Sequence, residues 1–393
     1  LQLVNSQTHL AHRTEYIQPF YVMDLLARAR ALEAAGRSII HMEIGEPDFV
    51  TPEPIIRAGQ QALAAGHTHY TPALGLPQLR QAIADHYRAR YGVEVDPGRV
   101  LVTPGSSGAL QLVMSVLVDP GEAVLMADPG YPCNRHFVRL VEGEPICIPV
   151  GPETAYQLTA EQVTAAWIPQ TRAVMVASPS NPTGTLLPLS ELRQIYQAVQ
   201  ARGGALIVDE IYHGLTYEGA AQTALALADD LFVINSFSKY FGMTGWRLGW
   251  VIAPEAYVDA MDRLAQNIFL AAPTLSQHAA LAAFSEETQV ILEVRRQAFE
   301  KRRNYLLAAL RELGFIFAVE PQGAFYLYAD CSGLTDDSFG FAHRLLNEAG
   351  VAVTPGKDFG SNRPEQHIRF AYTTSLENLQ EGVDRIRGFL GKG

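Results

Sequence analysis

Lysine is the scarce cation of this chain. Only Lys239, Lys301, Lys357 and Lys392 occur among 30 basic residues, and the first stands in a serine- and glycine-rich stretch, Asn235 to Trp250 (NSFSKYFGMTGWRLGW). A lysine, unlike an arginine, can shed its proton and act as an amine nucleophile. Alone, a loop lysine is most often simply solvated, so Lys239 needs company. Asp209 closes the apolar run Ala205 to Val208, where an unpaired carboxylate is costly and asks for a cationic or protonated partner. Tyr212 follows three residues later and shares its side if a helical turn begins there. Gly105-Ser106-Ser107-Gly108 lies between an apolar run and a helical pattern, and free N–H groups at a helix start favour an anion. Ser236, Ser238 and Arg247 can add hydroxyls and charge to the same anion. Tyr131 offers a flat aromatic face.

A neutralisable amine, an anion cradle, a buried strand-end carboxylate, a phenol and an aromatic face form the set that pyridoxal 5'-phosphate requires. Its aldehyde takes a lysine as a Schiff base, its ring nitrogen needs a carboxylate to stay protonated, and its ring oxygen needs a donor.

These residues must be positioned, and the pattern from residue 100 to 252 says how. Short apolar runs (Val100–Val102, Ala123–Met126, Ile146–Val150, Ala173–Ala177, Ala205–Val208, Leu231–Ile234, Leu248–Ile252) alternate with helical stretches at Ala109–Val118 and Ser190–Gln200. Such runs without strict alternation predict a mainly parallel sheet buried on both faces. In such sheets ligands gather beyond the carboxyl ends of the strands, where each polar cluster stands. Before this region, helices are expected at Met23–Ala35, Pro54–Ala65 and Leu76–Tyr91, with a short strand at Ile39–Ile44. After it come a long charged helix (Glu293–Gly314), helices at Phe341–Ala349 and Leu376–Phe389, and strands of a half-exposed sheet at Phe315–Val319, Ala324–Tyr328 and Ile368–Ala371. The expected division is an N-terminal arm with part of a small domain (1–44), a large α/β cofactor-binding domain (45–280) and a small α+β domain (281–393).

The 393 residues carry a net charge of −11, which disfavours a nucleic-acid partner held by neutralising its phosphates, and the composition is that of an ordinary globular protein. Cys133, Cys147 and Cys331 are odd in number and show no CxxC, which fits reduced thiols in the cytoplasm. No secretory signal pattern opens the chain and no apolar run is long enough to span a bilayer. A first residue other than Met points to a processed or trimmed chain, with its first dozen residues expected to be disordered. No metal-ligand spacing is present.

The motifs GEPDF, YTPALGLPQLRQAI, TPGSSGAL, DPGYP, SPSNPTG, VDEIY, SFSKYFGMTGWRLGW and HIRFAY, in this order over nearly the whole length, resemble those of the class I/II aminotransferases, fold-type I pyridoxal-phosphate enzymes similar to aspartate aminotransferase. The resemblance implies a large domain with a mainly parallel seven-stranded sheet covered by helices, plus a smaller α+β domain. It makes Lys239 the Schiff-base lysine and proton shuttle, Asp209 the partner of the pyridine nitrogen, and Tyr212 with Asn181 the partners of the ring hydroxyl. It sets Tyr131 against the ring and Ser106, Ser107, Ser236, Ser238 and Arg247 on the phosphate, with Tyr70 reaching in from the other subunit of a homodimer. Arg369 would clamp the substrate α-carboxylate, helped by Asn181 and the backbone at Gly45. By itself, Arg369 on an alternating strand reads as a surface arginine, and Tyr70 as a loop anchor. His213 reads as structural, and Met243 and Trp246 as packing.

The implied reaction is ping-pong transamination between an L-amino acid and a 2-oxo acid, with 2-oxoglutarate and glutamate as one pair. A lyase on the same fold shares nearly every motif. An acyl-CoA-condensing synthase would show a His where Ile211 stands. A regulator with an aminotransferase-like domain would need a DNA-binding segment ahead of GEPDF, and no helix-turn-helix pattern occurs there. Specificity for aspartate, alanine, aromatic or a broad range of donors is left open, with the side-chain pocket expected near Phe20 and Tyr21.

Overall fold

The computed structural model describes residues 10–17 and 20–391, so the expectation for the first dozen residues lies mostly outside the described residues. A seven-stranded sheet is built from β2 (Val100–Thr103), β3 (Ala123–Asp128), β4 (Glu144–Pro149), β5 (Thr171–Ala177), β6 (Ala205–Asp209), β7 (Phe232–Ser236) and β8 (Gly249–Ile252). Its strand order is β2-β8-β7-β6-β5-β3-β4. All neighbours are parallel except β8, which runs antiparallel to both β2 and β7. Strands β2, β7 and β8 are buried throughout, whereas β4, at the edge, is largely not. The apolar runs are therefore continuous where both faces are covered by helices.

The N-terminal strand β1 (Ile40–His41) pairs in parallel with β10 (Val351–Ala352), tying the two ends of the chain together. A three-stranded antiparallel sheet, β11 (Thr354–Pro355), β12 (His367–Ala371) and β9 (Tyr326–Asp330), follows in the order β11-β12-β9. The helix Glu286–Glu312 spans 27 residues, and Ser285 caps it by accepting from the Thr288 N–H. From this helix Arg302 makes a bidentate pair with Asp48 at 2.8 and 2.9 Å and lies over the Phe49 ring at 4.9 Å, which fixes the GEPDF turn.

The structure departs from the sequence expectation in several places. Gly105-Ser-Ser-Gly108 is the first turn of the helix Gly105–Leu117 rather than a turn before it. Phe315–Val319 is not a strand; only Ile316 bridges to Asp330. Strands β9 and β12 are buried on both faces, not half-exposed. Their polar residues face inward: the His367 ring stacks on Tyr328 at 4.7 Å, and Arg369 is turned into a cavity. Polar alternation here marks a site instead of solvent. Helices at Pro132–Leu140, Ala160–Ala166, Glu255–Ile268 and Thr274–Ala280 lay outside the expectation. Among the described residues no helix is long and apolar enough to cross a membrane, and no cluster of three metal-ligating side chains occurs.

Candidate active site

The carboxyl ends of β2, β3, β5, β6 and β7 and the entry to β8 converge on a cavity of about 330 Å³. Lys239, Asp209, Tyr212, Asn181, Arg247 and Arg369 line it. So do Ser106, Ser107, Ser238, Tyr131 and Gly45. Two expected residues stand elsewhere. Ser236 is buried behind the wall and donates from Oγ to Ser238 Oγ at 2.9 Å, orienting that hydroxyl. Tyr70 is 85% exposed on its loop.

Lys239 leaves β7 through a tight loop and donates from Nζ to the Gly45 carbonyl at 2.8 Å. Burial, reinforced by the positive charges of Arg369 and Arg247 and opposed by Glu46 and Asp209, lowers its pKa to about 8. A neutral amine is thus accessible in mildly alkaline solution. The Gly45 backbone can approach because it carries no side chain: a Cβ there would lie 1.9 Å from the Tyr326 hydroxyl.

Asp209 is buried at the end of β6, and its Oδ1 accepts one backbone hydrogen bond, from Ile211 N–H at 3.0 Å. Burial raises its pKa to about 6, against the pull of that hydrogen bond and of Lys239. Among the described residues no basic side chain lies within ion-pairing distance of it. This carboxylate asks for a protonated partner in the cavity. Tyr212, on the turn that follows, shares a 2.9 Å hydrogen bond between hydroxyls with Tyr326.

Arg369 projects from β12. Its Nη1 donates to Asn181 Oδ1 at 2.9 Å, and its Nη2 to the Glu43 carbonyl at 2.6 Å and to Thr354 Oγ1 at 3.3 Å. The guanidinium lies 4.2 Å from the Tyr326 ring centre and 4.8 Å from that of Phe359. It is buried, its Nε has no partner, and no carboxylate pairs with it among the described residues. With its Oδ1 taken by Arg369, Asn181 keeps its amide N–H groups for another acceptor.

At the opposite end Arg247 adopts a left-handed backbone (φ 52°) and donates from Nη1 to the Thr244 carbonyl at 3.0 Å. Its guanidinium lies against Gly105, where a Cβ would come within 2.8 Å of Nη2. The first turn of the Gly105–Leu117 helix, the Ser106, Ser107, Ser238 and Thr244 hydroxyls and the Arg247 charge thus make a cradle for a compact anion. The remaining wall comes from the start of the helix Tyr21–Ala34. Asp358 holds it by accepting from Tyr21 N–H at 2.9 Å and Val22 N–H at 3.4 Å. Phe20 from this segment lies 6.3 Å from the Tyr131 ring.

Sequence reasoning missed Tyr326, Thr244, Asp358 and Phe359. Tyr326 lies in the run GAFYLYAD, which carries no polar signal. Thr244 lies within Asn235–Trp250, where a threonine among turn residues carries no signal of its own. Asp358 and Phe359 follow Lys357, and only their three-dimensional placement gives them a role.

The arrangement offers an amine of lowered pKa between an anion cradle and a carboxylate-seeking arginine, with an unpaired carboxylate on the cavity wall. The family model for aminotransferase class I and II matches residues 37–386. The chain is 40% identical to valine–pyruvate aminotransferase of Mycobacterium tuberculosis, over 95% of this chain and 97% of that one. It is 38% identical to (5-formylfuran-3-yl)methyl phosphate transaminase of Methanocaldococcus jannaschii, over 98% and 100%. The solved aspartate aminotransferase of Thermus thermophilus with maleate superposes with a TM-score of 0.91 at 35% identity, covering 96% of this chain and 98% of that one.

Proposed function

We propose residue roles and a substrate pair for this chain, which belongs to the class I and II aminotransferase family and is a pyridoxal-phosphate-dependent transaminase. The proposed reaction moves an amino group between an L-amino acid and a 2-oxo acid in two half-reactions. The resemblance of the motifs makes 2-oxoglutarate and glutamate one pair. The observation that carries the reading is a set of unmet demands around one cavity. Lys239 offers an amine and, among the described residues, Asp209 is a buried carboxylate without a cation and Arg369 a buried guanidinium without a carboxylate.

Bound pyridoxal phosphate supplies an aldehyde that captures amines and a ring that draws electrons from the substrate α-carbon. The cradle of Ser106, Ser107, Ser238 and Arg247, with Ser236 behind it, would hold the phosphate. Asp209 would keep a proton on the ring nitrogen, and Tyr212 with the free amide of Asn181 would bond the ring hydroxyl. Tyr131 would cover one ring face. Arg369, fixed by Asn181 and Glu43 and laid on Tyr326, would grip the α-carboxylate beside Gly45. That grip would turn the α-hydrogen toward Lys239 Nζ, whose lowered pKa lets it take the proton and return it elsewhere.

The exposed Tyr70 supports a homodimer in which it reaches the neighbouring phosphate cradle, and sedimentation velocity tests the assembly. Three free thiols support a cytoplasmic setting, tested by cell fractionation. Lys239→Ala is expected to abolish amino exchange and the visible absorbance of lysine-bound cofactor. A folded variant that exchanges at the parent rate overturns the assignment.

A further inference from the structure

Tyr326, the first residue of β9, is buried in the cavity wall and reaches three of the groups given roles above. Its ring centre lies 4.2 Å from the Arg369 guanidinium, because the two residues are diagonal neighbours on one face of the β9–β12 pair. Its hydroxyl stands so close to Gly45 that a Cβ there would be 1.9 Å away. The same hydroxyl lies 2.9 Å from that of Tyr212, and among the described residues neither phenol has a further hydrogen-bond partner. Tyr212 is itself fixed, its ring set edge-on to Phe325 at 5.4 Å and to Tyr326 at 5.7 Å.

Two phenols that share one contact carry two protons, and only one of these can lie in it. Burial raises both pKa values, so each phenol keeps its proton, and the charge of Arg369 opposes that rise at Tyr326, which makes this hydroxyl a readier donor. If Tyr212 donated to Tyr326, it would have only lone pairs to offer the ring oxygen of bound cofactor. For Tyr212 to donate to that oxygen, Tyr326 must donate to Tyr212. Arg369 cannot take the Tyr326 proton, since a guanidinium has no acceptor. Hydrogen bonds in such a chain strengthen one another, so donation into the Tyr212 oxygen makes the Tyr212 O–H a stronger donor in turn. The other titratable groups facing the pair are Arg369 from β12, Tyr131 ahead of the helix Pro132–Leu140, and Lys239, held at the Gly45 carbonyl.

We infer that Tyr326 is a positioning residue: its hydroxyl donates to Tyr212 and so turns the Tyr212 proton toward the ring oxygen of bound cofactor. The inference rests on the role proposed for Tyr212 and adds the residue that sets its direction.

The test is an absorbance titration of the holoenzyme without substrate, following the pH at which lysine-bound cofactor loses its proton. A donor at the ring oxygen draws off negative charge that would otherwise hold that proton on the adjacent nitrogen, so a weaker donor raises the midpoint. Tyr212→Phe removes the donor and should raise it by about one to two pH units. Tyr326→Phe keeps the ring against Arg369 and loses only the hydroxyl. It should raise the midpoint by about 0.3 unit, a twofold gain in proton affinity. In the Tyr212→Phe background the same substitution should add nothing, because its effect passes through Tyr212. An unmoved or lowered midpoint in Tyr326→Phe overturns the inference, even where the urea midpoint falls, since Tyr326 would then be structural only. So does a shift that persists without the Tyr212 hydroxyl. If Tyr212→Phe leaves the midpoint in place, the role of Tyr212 at the cofactor fails and the relay with it. If Tyr212→Phe raises it and Tyr326→Phe does not, the role of Tyr212 stands and the relay alone is refuted.

Discussion

Arg369→Gln tests how the substrate is held, and its cost follows from the guanidinium's own bonds. Of five N–H groups, three have protein acceptors, at Asn181, Glu43 and Thr354, and Nε has none. Two donors therefore remain for a carboxylate. Each charge-assisted bond contributes about 1.5–3 kcal/mol, and because Tyr326 and Phe359 already hold the group flat, little rotamer entropy is left to lose. Desolvating the incoming carboxylate takes back part of this, leaving about 3 kcal/mol, or roughly a hundredfold in kcat/KM. The assay compares an L-amino acid with the amine that remains when its α-carboxylate is removed. The amino acid should lose about a hundredfold and the amine less than about threefold. An equal fall for both would mean that the substitution damages the site as a whole, and the assignment of Arg369 to the α-carboxylate would be refuted.

Gly45→Ala places a Cβ 1.9 Å from the Tyr326 hydroxyl and 2.8 Å from its ring carbon, so the ring or the Gly45 backbone must shift, at the hydroxyl that bonds Tyr212. Overpacking of this kind costs about 1–3 kcal/mol, readable as a lower urea midpoint at unchanged slope; an unchanged midpoint refutes it. His41 bridges Glu43 and Glu33, and its hydrogen bond to Glu43 holds its pKa up at about 9. The folded state therefore binds more protons than the unfolded chain between about pH 6.5 and 9. Stability from this pair is full below that window and fades as pH rises through it, by on the order of 1 kcal/mol after solvent screening. His41→Gln should flatten the decline of unfolding free energy over those pH values, and an unaltered decline counts against the pair.

The large sheet could be read from the sequence because its strands are buried on both faces and leave continuous apolar runs. Asp209 could be found because a buried strand end does not tolerate an unpaired carboxylate, and Lys239 and the Gly105–Gly108 turn because together with it they make one set. Arg369 was legible only through the company of its motif; its polar, alternating strand read as a surface. Tyr326 was illegible for the converse reason, as an aromatic in an apolar run looks like core, and Phe359 because a lone aromatic in a polar loop carries no signal. Asp358 owes its role to a segment far away in the chain, and no local pattern records such a distance.

The link between β1 and β10 bears on how the enzyme is made. Met42 and Ile44 carbonyls accept from Ala371 N–H and Thr373 Oγ, and the Glu43 carbonyl accepts from Arg369, so the strip that places Gly45 beneath Lys239 is held by residues more than 300 positions later. On the ribosome this strip emerges early and waits for almost the whole chain before its neighbours exist. The contacts around Gly45 can therefore close only once β12 has been made. On the proposed roles, a nascent chain stalled before β12 would hold Lys239 and the residues of the anion cradle but not Arg369.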